Sequence, residues 1–287
     1  MKYQELFSDR VAVIATMHHK EKVIAPLLEQ ELGIRAIVPQ GFNTDIFGTF
    51  TREIKRPGTQ IAAAKLKAQK ALEITGENLA IASEGSFNPH PIIPYIYANL
   101  EIVIFLDKAN NLEIIGEEVS TETNFNHQVV KSLAEAYEFA DKIGFPEHGI
   151  CLWFEVSANR YSEIIKGINT EEKFLKTVNF ALENAHNNQI NLETDMRAIY
   201  NPTRMKNIEK ATRNLLQKIN SCCPKCQTPG FEITERIPGL PCEVCHTPTT
   251  LIHTAIYQCK KCGFRQENLF PHGQEFANPA QCMYCNP

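Results

Sequence analysis

Eight of the ten cysteines in this 287-residue chain stand in four C-x-x-C corners, all in its last quarter. They are Cys223 with Cys226, Cys242 with Cys245, Cys259 with Cys262, and Cys282 with Cys285, with 15, 13 and 19 residues between successive corners. Two thiolates on one tight turn reach a single ion at about 2.3 Å, and a second turn completes the tetrahedron. Corners roughly 15–20 residues apart have the spacing of four-thiolate zinc sites. The expectation is therefore two structural zinc ions in a tandem pair of zinc ribbons, first corner with second and third with fourth. An interleaved arrangement, first with third, is the alternative, and iron is the alternative metal because spacing does not choose the ion. A full thiolate set leaves no open coordination position, so the zinc is expected to be structural rather than catalytic. Cys151 and Cys222 are left over; a buried structural thiol is the expectation for Cys151.

The rest of the chain offers a more scattered chemistry. Thr16-Met-His-His-Lys20 follows a short apolar run, and such a loop at a helix start suits an anion, with Thr16, His18 and Lys20 as candidate binding residues. Lys67 lies in an alanine-rich segment that Thr59 opens. Glu84 sits beside Gly85 and Ser86 at the end of another apolar run, where a carboxylate can hold Mg²⁺ or act as a general base. Asp195 and Arg197 follow a late apolar run, and Arg204 stands in the opening turn of a basic helix. An arginine there suits phosphate or carboxylate; the structural alternative is an Asp195–Arg204 ion pair. His90, between two prolines, reads as a rigid-turn residue.

Positioning these groups requires strands alternating with helices. Val11–Ala15, 34–38, 79–83, 101–106, 112–119 and 191–195 read as strands from their apolar runs. A helix before Gly33 should begin late, because Pro26 is tolerated only in a first turn. Thr59 should cap a helix that stops at Gly76, and residues 128–143 and 171–186 read as further helices. The fold expected is an α/β domain with a mixed or mostly parallel sheet, joined to a small tandem zinc-ribbon domain.

Charge divides the chain the same way. Residues 1–196 hold 18 basic and 27 acidic residues, 197–220 hold six and one, and 221–287 hold five of each. The boundaries expected are an α/β domain over 1–196, a basic connector helix over 197–220 and a double ribbon over 221–287. A formal net charge of −4 argues against a protein that coats nucleic acid throughout, and no stretch approaches the 18 apolar residues of a membrane span. MKYQELFSDR is charged where a signal peptide is apolar, so a cytoplasmic location with reduced thiols is expected.

Two resemblances follow from these motifs. Thr16 with its polar loop, Thr59 through Lys67-Ala68, and Glu84-Gly85 together resemble the inosine triphosphate pyrophosphatase superfamily over residues 11–90. That resemblance implies a Mg²⁺-dependent hydrolase of nucleoside triphosphates, with Glu84 and Lys67 catalytic. His18 stands where that superfamily carries Asn, and Ile61 and Ala62 where it carries metal-binding acids; Asp45 and Glu53 are the nearby acids that could substitute. Nearly the whole chain resembles an uncharacterised bacterial family, a domain of unknown function. Ala15-Thr-Met-His18, Phe47-Gly-Thr-Phe50, Arg56-Pro-Gly-Thr59, Ser83-Glu-Gly-Ser-Phe87, Glu193-Thr-Asp-Met-Arg-Ala198 and Asn201-Pro-Thr-Arg-Met205 carry it. The leading expectation is an α/β domain that binds a phosphorylated small molecule or nucleotide. The competing one is a binding module whose connector (Lys206, Lys210 and Arg213 among its cations) and ribbons dock nucleic acid or a protein partner.

Overall fold

The computed structural model describes residues 3–44, 46, 57–156 and 162–287. Asp45, Glu53, Arg56 and the Phe47–Phe50 motif lie outside these residues. The chain forms two compact units: Asp9–Leu215, and Met1–Ser8 together with Leu216–Pro287.

The larger unit holds two sheets. Strands β1 (Val11–Ala15), β2 (Arg35–Ile37), β3 (Leu79–Pro89), β4 (Tyr97–Asp107) and β5 (Leu112–Ser120) form a mixed sheet in the order β2-β1-β3-β4-β5. β1 is parallel to β2 and β3, whereas β3, β4 and β5 are antiparallel neighbours. Helix α1 (Glu21–Leu32) links β1 to β2, and α2 (Gln60–Thr75) precedes β3. The chain therefore leaves β1 towards one side of the sheet and β3 towards the other. The carboxyl ends of these two strands form a topological switch point, where α/β sheets place ligands.

α2 lies close to the sheet because both surfaces are small. Its buried Ala64, Ala68 and Ala71 share a core with Ala15, Ala80 and Ala82. The opposite face of the sheet is covered by α5 (Pro202–Asn220), which presents Arg204, Asn207, Ala211 and Leu215 as one buried stripe. The helix backbone approaches β5 so closely that a Cβ at Gly116 would lie 2.3 Å from the Ala211 carbonyl oxygen.

A second, antiparallel sheet in the order β6-β9-β7-β8 comprises β6 (His127–Val130), β7 (Ile150–Glu155), β8 (Ser162–Ile168) and β9 (Ile190–Thr194). Helices α3 (Leu133–Ile143) and α4 (Glu171–Asn184) share its core, which includes Phe139, Phe154, Phe174 and Leu192. The smaller unit carries a third sheet, β10 (Glu232–Pro238), β11 (Ile252–Gln258) and β12 (Arg265–Leu269), antiparallel and in that order.

Two readings of the sequence are corrected. α1 begins at Glu21, five residues before Pro26, and not late. Pro26 is exposed, so the carbonyl that loses its helical donor faces water. Residues 128–143 are not one helix: β-branched Val129 and Val130 pair in β6, and the Ser132 side chain, accepting from Glu135 N–H, starts α3 afterwards. The division between the two units falls within α5, after Leu215. Among the described residues no helix is long and apolar enough to cross a membrane.

Candidate functional site

Three cations from three different helices meet around residues 83–85 of β3. Alternation along β3 puts Glu84 on the face of Ala80 and Ala82, beneath α2. Lys67 projects from the buried face of α2 and its Nζ lies 2.9 Å from Glu84 Oε1. On the opposite face, β4 places Glu101 beside Gly85 in the ladder. Arg204, delivered by α5, donates from Nε to Glu101 Oε1 at 2.7 Å and from Nη1 to the Met196 carbonyl at 2.5 Å. Arg204 is 1 % and Glu101 0 % exposed. Gly85 is required here: a Cβ would sit 2.2 Å from Glu101 Oε1 and 2.5 Å from Arg204 Nη2.

Lys20 completes the cluster from the start of α1, where β1 has ended and β3 continues. Its Nζ donates to the Ser83 hydroxyl at 3.0 Å and to the Ser83 carbonyl at 3.3 Å. Burial, and then the charges of Arg204 and Lys67, bring its pKa down to about 7, against the opposite pull of Glu101 and Glu84. Among the described residues, and counted with every group ionised, three cations face two carboxylates. A polar frame holds the set: Gln60 Nε2 donates to the Glu84 and Leu100 carbonyls, Ser86 Oγ donates to Gln60 Oε1, and Asn99 Nδ2 donates to Glu101 Oε1. Asn207 Nδ2 on α5 donates to Asn99 Oδ1.

The structure thus brings together Lys20, Lys67, Glu84 and Arg204, with Ser86 at the edge through Gln60. Thr16 is buried at the end of β1, its hydroxyl 3.4 Å from the His18 N–H, and His18 is half-buried. Thr59 is engaged as the α2 cap, accepting from Ala62 N–H. Asp195 does not pair with Arg204. Its carboxylate takes Arg197 Nη2 at 2.6 Å and Gly167 N–H at 3.1 Å, and the Arg197 guanidinium lies 4.7 Å from the Tyr200 ring centroid. The helix start expected to offer free donors is also capped, because Asn201 Oδ1 accepts the Arg204 N–H. His90 is a turn residue: its Nδ1 accepts from the N–H groups of Ile92 and Ile93.

Sequence reading missed Glu101, Gln60 and Asn99. The available signal was an acid and an amide alternating into an otherwise apolar strand, Asn99-Leu-Glu101-Ile-Val-Ile-Phe105. Glu101 occupies a strand position whose neighbour two residues on, Val103, is core.

The thiols of the smaller unit form two groups, Cys223, Cys226, Cys259 and Cys262, and Cys242, Cys245, Cys282 and Cys285. The pairing is interleaved, which corrects the sequential expectation. Strand pairing is the reason. β10 runs away from the first corner and β11 returns, setting Gln258 opposite Glu232 and so the third corner beside the first. β12 then runs back along β11 and carries the fourth corner to the second. One four-thiol group lies at each end of a three-stranded sheet.

Each corner is the same turn. The N–H groups of Gln227, His246, Gly263 and Asn286 donate to the carbonyls of Cys223, Cys242, Cys259 and Cys282 at 2.8–3.0 Å. Gln227, His246 and Gly263 adopt positive φ, which closes the turn behind the second cysteine. Across corners, Sγ atoms are 3.7 and 3.6 Å apart in one group and 3.9 and 3.6 Å in the other. A tetrahedron with arms of about 2.3 Å has edges of about 3.8 Å, so both groups fit Zn²⁺. The Thr228 hydroxyl, with its backbone N–H, brings the Cys226 thiol down to about 6; Thr247 does the same for Cys245. Such donors favour the thiolate that a metal needs.

Residues 67–287 match the model of one family, described as a domain of unknown function, DUF6671. Lys67, Glu84, Glu101, Arg204 and all eight clustered cysteines fall inside that stretch, whereas Thr16 and Lys20 precede it. No curated protein matches the chain.

Proposed function

Because the chain belongs to the DUF6671 family, a domain of unknown function, its own side chains must carry the assignment, and we propose that the larger unit binds a phosphorylated small molecule at the β1–β3 switch point. One observation carries this reading: among the described residues, Lys20, Lys67 and Arg204 converge on two carboxylates, Glu84 and Glu101, and a proton on Lys20 adds a positive charge that these do not match. An excess of buried positive charge is matched by an anion, and a phosphoryl group offers several acceptor oxygens to lysine and arginine donors. A nucleotide is the most concrete ligand, and hydrolysis of its phosphoanhydride the most concrete reaction.

Mg²⁺ has less support, because both carboxylates of the cluster already face cations at 2.9 and 2.7 Å. The nucleic-acid reading is weakened in the same way. Of the α5 cations expected to meet phosphate, Lys210 lies 3.3 Å from Glu122, and Arg213 donates to Glu209 at 2.8 Å. The two thiol groups are assigned to structural zinc in this reading, in a reducing compartment such as the cytoplasm.

Calorimetry with inorganic pyrophosphate and with a nucleoside triphosphate tests the proposal. Binding should weaken by roughly 10- to 100-fold in Lys20→Met, the loss of a charge-assisted hydrogen bond. No heat of binding with either ligand would reject the site. Release of phosphate or pyrophosphate in the presence of Mg²⁺, abolished in Glu84→Gln, would establish the hydrolase; full release by Glu84→Gln would remove Glu84 from that role.

A further inference from the structure

Lys20 differs from the other two cations of the cluster. Among the described residues, Lys67 and Arg204 are each engaged by a carboxylate, whereas Lys20 Nζ donates to the neutral Ser83 hydroxyl and carbonyl. It is anchored at the end of β1 by the first turn of α1, with Lys67 and Arg204 on either face of the sheet. A neutral lysine so placed has its two N–H groups oriented by two acceptors, which leaves its lone pair directed away from them. We propose that Lys20 is a nucleophilic amine that condenses with the carbonyl carbon of a phosphorylated aldehyde or ketone. The inference rests on the anion-binding reading above and deepens it by naming the substrate class.

In the step, the neutral amine adds its lone pair to the carbonyl carbon, forming the C–N bond while the carbonyl oxygen takes a proton. The carbinolamine then loses water, which carries off the oxygen and both amine hydrogens, and leaves an imine. Taking up one proton turns the imine into an iminium ion. That positive charge stands where the Lys20 ammonium stood, facing Glu84 and Glu101, so the cluster tolerates it. The phosphoryl group belongs beside Lys20 at the edge of β3 beyond its last pairing with β1, Ala15 with Ala82, in the field of the cations Lys67 and Arg204. Burial together with those two cations keeps a large fraction of Lys20 in the reactive neutral form near neutral pH, against Glu84 and Glu101, which favour the charged form.

Pyridoxal 5′-phosphate, an aldehyde that carries a phosphoryl group, is the probe. The full chain is treated at pH 7.5 with this aldehyde and cyanoborohydride, which delivers hydride to the imine carbon, and the adducts are mapped by peptide mass spectrometry. Lys20 should carry the dominant adduct, reacting on the order of 100-fold faster than exposed lysines, whose neutral fraction is about a thousandth. Its rate should be half-maximal near pH 7. Pyrophosphate should block it, and pyridoxal without the phosphate should label it more slowly. Adducts spread over surface lysines or centred on Lys67, while pyrophosphate binds by calorimetry, would overturn the amine and leave the anion site standing. Equal labelling of Lys20 by both aldehydes, with no pyrophosphate binding, would keep the reactive amine and reject the anion site. Lys20→Met cannot condense; with melting unchanged it should lose the adduct, and an adduct of parental yield in this variant would overturn the assignment of the amine.

Discussion

The thiol groups of the ribbon unit and the ionic cluster of the α/β unit both gather charge from distant parts of the chain, by different means. In the ribbons each half-site is local, two cysteines on one four-residue turn, and strand pairing decides only which halves meet. In the cluster nothing is local: Lys20, Lys67, Glu84, Glu101 and Arg204 arrive singly from three helices and two strands. The ribbon core is correspondingly slight, with Phe231 beside Cys223 and Cys259, while the ionic cluster is divided between the alanine-rich interface of α2 and the buried stripe of α5. A metal site can stabilise a unit with little core; a buried ionic site needs the core first.

The comparison breaks most visibly if the metal is removed. Chelation should unfold the ribbon unit, since structural zinc contributes about 10–16 kcal/mol at neutral pH, and should leave the far-ultraviolet signal of the larger unit largely intact. The pairing is read by metal counting. Cys226→Ala with Cys259→Ala should remove one of two zinc ions, whereas Cys226→Ala with Cys245→Ala should remove both; the reverse result would restore the sequential arrangement.

Next in size is the buried pair. Arg204→Met strands Glu101 among core residues and should cost roughly 3–5 kcal/mol by urea denaturation. Adding Glu101→Leu should recover much of that loss, because a buried pair replaced by apolar groups is often near neutral.

A smaller effect separates Lys20 from its neighbours. Its folded pKa, about 7, lies below the ordinary lysine value of 10.5. The unfolded chain therefore binds more protons between these values, and stability should rise with pH from about 7 to 10. Lys20→Met should flatten that slope in urea titrations across this range; an unchanged slope would remove Lys20 as its source.

The smallest tests the close fit over β3. Gly85→Ala forces a methyl group against Glu101 and Arg204 and should cost about 1–3 kcal/mol. Melting within a degree of the parent would mean the pair can shift aside.

These contrasts also explain what the sequence revealed. The corners were legible because C-x-x-C is complete within four residues, and so was Thr59, whose capping role depends on Ala62 three places on. β1 matched its apolar run residue for residue. The corner pairing was not legible, because one strand lies between each pair of successive corners (β10, β11 and β12 in turn), and strand pairing decides which corners meet. Glu101 was hidden in the same way. Its partner is 103 residues distant, and an acid in a strand reads as solvent-facing until the helix that covers it is known. β7 and β8 escaped because a six-residue apolar run and a mixed, charged one give no period long enough to trust.

Interleaving also sets an order of events during synthesis. The first four-thiol group cannot close until Cys262 has emerged from the ribosome, by which time Cys242 and Cys245 are already present and exposed. The second waits for Cys285. Through that interval the nascent segment holds several reduced corners at once, and any two of them can capture an ion in the wrong combination. The antiparallel return of β11 along β10 is what removes the choice, since it seats the third corner beside the first.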